Sequence, residues 1–394
     1  MHQPFAPVVS LGCRLNIAEG DTIAAMLAGG TLVVNSCAVT GEAVKQTRAA
    51  IRRVRRAHPA AELVVTGCAA TIDPAAFAAM PEVDRIVANA AKLLPISWGA
   101  AAAPQLAAST GTVRAHVAVQ TGCDHDCTFC TIPAGRGASR SEPVDAIVAR
   151  IGALVGSGAR EVVLTGVDLT SWGADLAGAP ALGTLVEAIL RRTAVERLRL
   201  SSLDSIEIDP ALFDLVASEP RVMPHLHLSL QAGDDLTLKR MKRRHLRADA
   251  IALVERLKAR RDVAIGADLI AGFPTESEAM FANTLALLDD CDIVHAHVFP
   301  YSPRLGTPAA RMPQVEPEVR RARAARLREA ASQRKAAWLA GQVGTPASIL
   351  VEKPGDRGHT PHFAEVRLAT PSIVGEIVPV RLTAAADHLT GILA

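Results

Sequence analysis

Three cysteines in the first half of the chain have a spacing suited to metal binding. Cys123, Cys127 and Cys130 are separated by three and by two residues, so they fit on one tight loop. Three thiolates are one short of the four that a closed structural zinc or iron–sulfur site uses. A cubane iron–sulfur cluster held by three cysteines keeps one iron free, and that iron can bind a substrate or cofactor. The spacing therefore predicts an open iron–sulfur cluster.

Zinc is the alternative interpretation of the same loop. In a cytosolic protein a pair of cysteines two residues apart marks zinc more often than iron. His125 lies inside the loop and could supply the fourth ligand that zinc needs. A strand before the loop and the lack of a fourth cysteine nearby favour the iron–sulfur cluster.

Three further cysteines, Cys13, Cys37 and Cys68, each directly follow one of the first three predicted strands. Parallel strands end on a common edge, and open α/β sheets bind ligands there. We therefore expect the three thiols to converge in a second three-cysteine cluster. The alternative, three buried core cysteines, does not explain why all three stand at strand exits.

The elements that must position these cysteines can be predicted from the hydropathy pattern, which indicates an α/β chain of three domains. Residues 1–100 alternate apolar runs with amphipathic helices, as in a parallel sheet with helices on its faces. Residues 112–340 contain six such strand–helix units, two fewer than a closed barrel needs, so we expect a partial (β/α)6 barrel. Residues 341–394 show short alternating segments, which predicts a small all-β barrel of the kind that binds nucleic acid.

An alanine-rich stretch, residues 100–112, is the expected linker between the first two domains. The predicted strands of the first domain are 7–11, 32–36, 63–67 and 83–87. Those of the partial barrel are 114–120, 161–166, 197–202, 226–231, 264–270 and 293–299. Those of the last domain are 347–351, 363–368 and 377–381.

The composition narrows the class of protein. The chain of 394 residues is 49% hydrophobic, but no uncharged apolar run approaches 18 residues, so we expect no membrane span. The N-terminus lacks the pattern of a signal peptide. We expect a cytoplasmic protein, in which seven cysteines act as metal ligands or free thiols rather than in disulfides.

The net charge of +2 hides three basic clusters. Residues 45–56 hold six basic side chains and no acidic one, residues 239–261 hold ten against two, and residues 311–335 hold eight against three. Because Lys and Arg make the contacts to phosphates, these clusters predict a polyanionic partner. The candidate RNA-binding residues are Arg52, Arg53, Arg55, Arg56, Lys242, Arg243 and Arg244.

The loop around Cys123–Cys130 resembles that of the radical S-adenosylmethionine (SAM) superfamily, and the N-terminal cysteines narrow the resemblance to the methylthiotransferases. The segments Asn35-Ser-Cys-Ala-Val-Thr40 and Ile132-Pro-Ala-Gly-Arg-Gly137 are most similar to the MtaB type. That type modifies N6-threonylcarbamoyladenosine at position 37 of tRNA. The resemblance covers nearly the whole chain and identifies the last domain as TRAM-like.

The resemblance implies two 4Fe–4S clusters and SAM as cofactors. Cys123, Cys127 and Cys130 would hold the cluster that binds SAM, and the N-terminal cysteines would hold an auxiliary cluster. The implied reaction transfers a methylthio group to C2 of the modified adenosine. The implied partners are the tRNA anticodon loop, SAM, a one-electron donor and a sulfur donor, with no membrane.

Candidate contacts to SAM are residues at the strand ends of the barrel, where such barrels place their chemistry. An aromatic ring inside the cysteine loop is expected to shield the cluster. For each polar candidate the alternative is a side chain satisfied by a neighbouring loop. The candidates are Phe129, Thr165, Gly166, Ser201, Ser202, Gln231 and Asp268.

Three other functions stay open at this point. Two are methylthiotransferases, one acting on isopentenyladenosine at position 37 of tRNA and one acting on an aspartate of a small-subunit ribosomal protein. The third is a non-catalytic RNA-binding protein with structural metal sites. Bound zinc without SAM turnover would indicate the third.

Overall fold

A computed structural model of the chain describes residues 7–27, 29–101, 113–385 and 387–393. The chain forms three successive parts: a parallel sheet, a larger barrel of parallel strands and a small closed barrel. The predicted linker, residues 100–112, lies outside the described residues except for its first two positions.

The N-terminal sheet has four parallel strands that neighbour each other in chain order. Its strands are β1 Val8–Ser10, β2 Thr31–Ser36, β3 Glu62–Gly67 and β4 Arg85–Ile86. Its helices are α1 Arg14–Ala24, α2 Gly41–Ala57, α3 Cys68–Ile72 and α4 Pro74–Ala78. Because every strand runs in the same direction, the carboxyl ends of β1, β2 and β3 meet at one edge, as the sequence predicted.

Helix α2 shows how the sequence determines these elements. Thr40 caps its start by accepting a hydrogen bond from the backbone N–H of Ala43 at 3.0 Å. Ile51 and Val54 are buried against the sheet, while arginines occupy the opposite side. The helix therefore presents a basic surface to solvent.

The central domain is a barrel of six parallel strand positions, the third of which is interrupted at Ser201. Two short antiparallel strands flank the cysteine loop. The strands are β5 Arg114–Ala118, β6 Gln120–Thr121, β7 Arg140–Ser141, β8 Glu161–Thr165, β9 Arg197–Leu200, β10 Ser202–Leu203, β11 His225–Gln231, β12 Ala264–Ala271 and β13 Ile293–Pro300. Among the described residues β5 and β13 do not pair, so the barrel stays open on that side, and α1 packs against β5.

The central domain contains eight α-helices among the described residues. They are α5 Ile132–Arg136, α6 Val144–Gly156, α7 Leu182–Arg192, α8 Pro210–Ser218, α9 Asp235–Met241, α10 Arg247–Lys258, α11 Glu278–Asp290 and α12 Pro317–Gln342. Short 3-10 helices occur at Pro95–Trp98, Leu169–Ser171, Ser205–Glu207 and Pro308–Arg311. One large hydrophobic core lies between the strands and helices α6, α7, α8, α10, α11 and α12.

The C-terminal domain is a closed five-stranded barrel with the order β14-β15-β16-β18-β17. Its strands are β14 Pro346–Glu352, β15 Arg357–His359, β16 Glu365–Leu368, β17 Ile377–Ala385 and β18 Leu389–Leu393. Leu339 of α12 joins its core. The predicted all-β barrel is confirmed, with two more strands than the sequence pattern indicated.

All three domains meet at Phe363 of the C-terminal barrel. Its backbone has a φ of +67°, which is unusual for a bulky residue. Three guanidinium groups lie within 5.6 Å of the centre of its ring, those of Arg14, Arg114 and Arg199. In the part of the chain that the structure describes, no helix is both long enough and apolar enough to span a bilayer.

Candidate functional site

A cavity of about 330 Å3 lies between the carboxyl edge of the N-terminal sheet and the mouth of the barrel. Both cysteine sets line it. Its thiols are those of Cys13, Cys37, Cys68, Cys123, Cys127 and Cys130. The structure therefore brings together all six cysteines that the sequence singled out, from positions up to 117 residues apart.

The N-terminal set is placed by the ends of three neighbouring strands. Cys13 precedes α1, Cys37 follows β2 and Cys68 begins α3. Gly12 has a φ of +89°, and a Cβ at this position would lie 2.4 Å from the Cys37 sulfur. Only glycine combines this backbone conformation with so close an approach to the thiol.

The barrel set lies on the loop between β6 and α5. The N–H of Cys123 donates to the carbonyl of Gly137 at 3.1 Å, and the N–H of Cys130 donates to the carbonyl of Cys127 at 3.1 Å. Gly122, with a φ of +77°, lets the loop pass close to Ala138, because an added Cβ would lie 1.9 Å from its carbonyl oxygen. The backbone thus fixes the loop in a tight conformation.

The environment of the thiols fits a metal cluster. Burial raises the pKa of Cys37 to about 11, that of Cys123 to about 12 and that of Cys130 to about 11. Buried thiols of this kind become thiolates when a metal cation compensates their charge, and loading then releases protons. Cys291, the seventh cysteine, is buried in the barrel core, so the described part of the cavity offers two sets of three thiols.

The zinc interpretation required His125 as a fourth ligand, and the structure gives this side chain other partners. Its Nε2 lies 2.7 Å from an Asp168 oxygen and 3.9 Å from a Glu207 oxygen. Hydrogen bonds to Asp168 and then Glu207 raise the pKa of His125 to about 10. Two carboxylates hold this imidazole in place, which favours the open three-cysteine set over a site with His125 as the fourth ligand.

Arg243 lies in the wall of the cavity and not on an exposed basic surface. Its side chain is only 7% exposed, and it donates to an Asp204 oxygen at 2.9 Å, to the Ser229 carbonyl at 2.9 Å and to the Cys127 sulfur at 3.6 Å. The sequence placed Arg243 among the RNA contacts because of its basic neighbours. Its position beside a thiol instead suits the stabilisation of negative charge inside the cavity.

The candidate SAM contacts divide into two groups. Those that line the cavity are Phe129, Gly166, Ser202, Gln231 and Asp268. Thr165 and Ser201 are buried and lie outside the lining. Each of these two directly precedes a residue of the lining in the chain, Gly166 and Ser202, respectively.

Asp268 is held in place by two histidines from neighbouring strands. Its Oδ1 lies 2.9 Å from His227 Nε2 and 3.2 Å from His297 Nδ1. Burial alone would raise the pKa of Asp268, but the hydrogen bonds with His227 and His297 outweigh it and hold the pKa far below the usual range. The cavity therefore contains a fixed carboxylate.

The interface between the two cysteine domains contains buried charges that the sequence reasoning missed. Arg136 donates to Glu19 and to the side-chain oxygen of Asn16 at 2.6 Å, and Lys92 donates to Glu19 at 2.6 Å. The sequence feature that could have revealed these charges is the position of Glu19, four residues after Leu15 and therefore on the same buried face of α1. A charged residue on such a face needs a buried partner.

The α2 arginines differ in their surroundings. Arg52, Arg53 and Arg56 are exposed. Arg55 pairs with Asp84 and also donates to the carbonyls of Pro59 at 3.0 Å and Ala61 at 2.7 Å.

On the barrel, two basic residues next to Arg243 reach solvent. Lys242 is exposed and pairs with Asp126. Arg244 pairs with Glu207 at 2.7 Å and Asp204 at 3.1 Å. Their exposure leaves them available to a polyanion, but their carboxylate partners would compete with phosphates.

Comparisons with known family models match two parts of the chain. Residues 117–288 match the model of the radical SAM superfamily, and residues 6–88 match that of the uncharacterized protein family UPF0004. These two ranges contain the barrel cysteines and the N-terminal cysteines, respectively.

Two curated relatives span almost the full chain. The threonylcarbamoyladenosine tRNA methylthiotransferase MtaB of Rickettsia prowazekii is 42% identical over 396 residues, with 95% of this chain and 94% of the relative covered. The tRNA-2-methylthio-N(6)-dimethylallyladenosine synthase of Maricaulis maris is 33% identical over 439 residues, with 98% and 96% covered.

Among solved structures, the fold is similar to that of TsrM, a radical SAM methyltransferase from Kitasatospora setae solved with cobalamin and a 4Fe–4S cluster. The TM-score is 0.52 at 17% identity, covering 71% of this chain and 65% of TsrM. At this identity the likeness shows the shared fold alone.

The fold, the cysteine sets and the full-length relatives agree. The radical SAM superfamily binds SAM and a 4Fe–4S cluster, so the cofactors expected from the resemblance are confirmed for the family. The chain belongs to the radical SAM methylthiotransferases.

Proposed function

We propose that this protein transfers a methylthio group to C2 of N6-threonylcarbamoyladenosine at position 37 of tRNA. The observation that carries the proposal is the single cavity lined by two sets of three cysteines from two domains. The name of the Rickettsia relative supplies the nucleoside, and that relative is more similar than the Maricaulis protein, whose name gives the dimethylallyl nucleoside.

In this proposal, Cys123, Cys127 and Cys130 hold the cluster that binds SAM, and Cys13, Cys37 and Cys68 hold the auxiliary cluster. When bound, the two clusters supply one-electron reduction of SAM and carry the sulfur that is transferred. The protein's part is to bind, orient and shield these groups.

The chain's own residues then act on SAM and on the target base. Gly166, Ser202, Gln231 and Asp268 are the proposed SAM contacts, because they line the cavity beside the barrel cysteines. Thr165 and Ser201 support this wall from behind. The fixed guanidinium of Arg243 adds positive charge next to the barrel set.

Apolar side chains keep water away from the reacting groups. Phe129 packs edge-on against Phe273, with ring centres 6.4 Å apart. Ile270 and Phe299 complete this side of the cavity. Excluding water protects reactive one-electron chemistry from side reactions.

For the partners, we propose that exposed basic residues on two domains bind the tRNA anticodon stem and loop. These residues are Arg52, Arg53 and Arg56 of α2, with Lys242 and Arg244 of the barrel. A separate electron donor and a sulfur donor complete the reaction, which we place in the cytoplasm. We assign residues 1–100, 112–340 and 341–394 to the auxiliary-cluster, radical SAM and TRAM-like domains.

Mass spectrometry of tRNA nucleosides from a deletion strain tests the substrate. We expect loss of the thiomethylated threonylcarbamoyl nucleoside and its return when the wild-type chain is supplied. Loss of the thiomethylated isopentenyl nucleoside instead would contradict the assignment.

Two cysteine variants test the two-cluster arrangement, with Cys291→Ala as a matched control from the core. Cys127→Ala should abolish SAM cleavage under dithionite and keep the spectrum of the auxiliary cluster. Cys37→Ala should keep SAM cleavage and stop methylthio transfer. Retention of thiomethylation by both variants, or bound zinc without SAM turnover in the wild type, would rule the proposal out.

A further inference from the structure

The arginine cluster formed by Arg14, Arg114 and Arg199 contains more positive charge than its surroundings neutralise. The guanidinium carbons lie 5.6, 5.3 and 4.7 Å from the centre of the Phe363 ring, respectively. Three like charges around one ring repel each other unless carboxylates or a bound anion offset them.

Two of the three arginines have carboxylate partners. Arg114 lies 2.6 Å from Glu161 and 2.9 Å from Glu352. Arg199 shares Glu161 at 3.0 Å and also donates to the carbonyl of Pro361 at 3.1 Å. These contacts engage the carboxylates of Glu161 and Glu352.

Arg14 differs, because within the described residues its guanidinium has neither an ion pair nor a hydrogen bond. The charges that act on it are Arg199, Arg114, Asp268 and Glu161. Of the two carboxylates, Glu161 is bound to the other arginines, and Asp268 lies against His227 and His297. Arg14 is half-buried, so water compensates its charge only in part.

The side chain of Arg14 lies behind the lining of the cavity and not in it. Cys13 and Leu15, on either side of Arg14 in the chain, both line the cavity, and so does Asp268. An arm that extends from a base in the cavity past Asp268 would therefore run towards this guanidinium.

We propose that Arg14 binds the carboxylate of the threonylcarbamoyl group and thereby selects this nucleoside over one with an apolar arm. The inference rests on the proposed function and deepens it. The arm of this nucleoside ends in a carboxylate, which suits the fork of an arginine. A dimethylallyl arm offers no such group and would leave Arg14 unpaired.

Binding of synthetic anticodon stem-loops to the anaerobically loaded protein tests this inference. Three RNAs are compared at one salt concentration: one with the threonylcarbamoyl group at position 37, one with the methyl ester of its carboxylate, and one with plain adenosine. Fluorescence anisotropy gives each dissociation constant for the wild type, Arg14→Gln and Arg14→Lys. Arg53→Gln, an exposed arginine of α2, is the matched control for charge removal.

The wild type should bind the free carboxylate about ten- to hundredfold more tightly than the ester, the range of a hydrogen bond to a charged group. Arg14→Gln should lose this preference, Arg14→Lys should keep part of it, and Arg53→Gln should weaken all three RNAs equally. The auxiliary-cluster spectrum of Arg14→Gln should match that of the wild type.

Two results would overturn the inference. An equal loss of affinity for all three RNAs in Arg14→Gln would mean that Arg14 contacts a backbone phosphate, and an unchanged carboxylate preference would mean that it contacts no part of the arm. Failure of the proposed function is distinguishable, because then the wild type would not thiomethylate the threonylcarbamoyl RNA at all.

Discussion

Arg136 of the barrel donates to both carboxylate oxygens of Glu19 in the N-terminal domain, at 2.7 and 2.9 Å, and the pair is buried from solvent. Arg136 ends the helix that follows the barrel cysteine loop, and Glu19 lies on the helix that follows Cys13. The ion pair therefore connects the two helices that follow the cysteine sets, and it holds the two sets at a fixed distance from each other.

Glu19→Gln should destabilise the protein by about 3–5 kcal/mol, because it leaves Arg136 and Lys92 as buried cations without a carboxylate. Thermal unfolding and chemical denaturation measure the change. Glu42→Gln is the control, since Glu42 pairs with Lys45 on the surface at 4.0 Å and its loss should leave the unfolding temperature unchanged. Equal effects of the two substitutions would mean that the buried pair contributes no more than a surface pair.

Gly12→Ala should displace Cys37, because the added Cβ would lie 2.4 Å from its sulfur. We expect loss of the auxiliary cluster and of about half the bound iron, measured by iron analysis and spectroscopy. Gly30→Ala distinguishes backbone strain from displacement of Cys37. Gly30 also has a positive φ, +91°, but nothing lies within 4 Å of an added Cβ. That control should cost about 1–2 kcal/mol of stability and keep the cluster. An intact auxiliary cluster in Gly12→Ala would count against the close packing at Cys37.

Replacing Arg52, Arg53 and Arg56 together by glutamine should weaken tRNA binding and lower the slope of log affinity against log salt by about two to three. All three are exposed on α2. Titrations at several salt concentrations measure the slope. Arg55→Gln should instead lower stability and keep the slope, because Arg55 holds Asp84 and three backbone carbonyls. If the triple variant keeps the wild-type slope, α2 does not contact the RNA.

Glu161→Gln should make stability less dependent on acid pH. Burial alone would raise the pKa of Glu161, but the guanidinium groups of Arg199 and Arg114 outweigh it and lower the pKa to about 2. The unfolded carboxyl titrates near 4.5, so its charge contributes stability above that pH, and the contribution is lost as the pH falls towards 2.

The measurement is the unfolding temperature of the wild type, Glu161→Gln and Glu196→Gln between pH 7 and pH 2. Glu196 forms an exposed pair with Arg160 and should behave like the wild type. Glu161→Gln should also be less stable at neutral pH, because its arginines lose a buried partner. Parallel curves for all three proteins would show that the charge of Glu161 does not contribute.

The sequence predicted the layout of the cysteines well, because it depends on local patterns. An apolar run followed by a cysteine identifies a strand end wherever it occurs, and Cys37 and Cys68 stand next to strands within one residue of their predicted ends. Parallel pairing then brings the thiols to one edge without further information.

The charged contacts could not be predicted, because their partners are distant in the chain. Arg243 pairs with Asp204, which lies 39 residues earlier in the chain. The basic run alone therefore did not indicate that the Arg243 side chain lies in the cavity wall. Strand β15, Arg357–His359, was missed because its three residues carry no apolar alternation. Phe363, predicted to begin a strand, instead lies ahead of β16, where its ring meets the arginine cluster.

Phe363 has a consequence for how the chain can be divided. A single ring from the last domain touches cations carried by both of the others, and those cations are crowded against one another. Removing residues 341–394 would therefore also remove the ring against which the arginines of the other two domains pack, and it would leave those like charges without it. The three domains are joined at this ring and are not packed independently of one another.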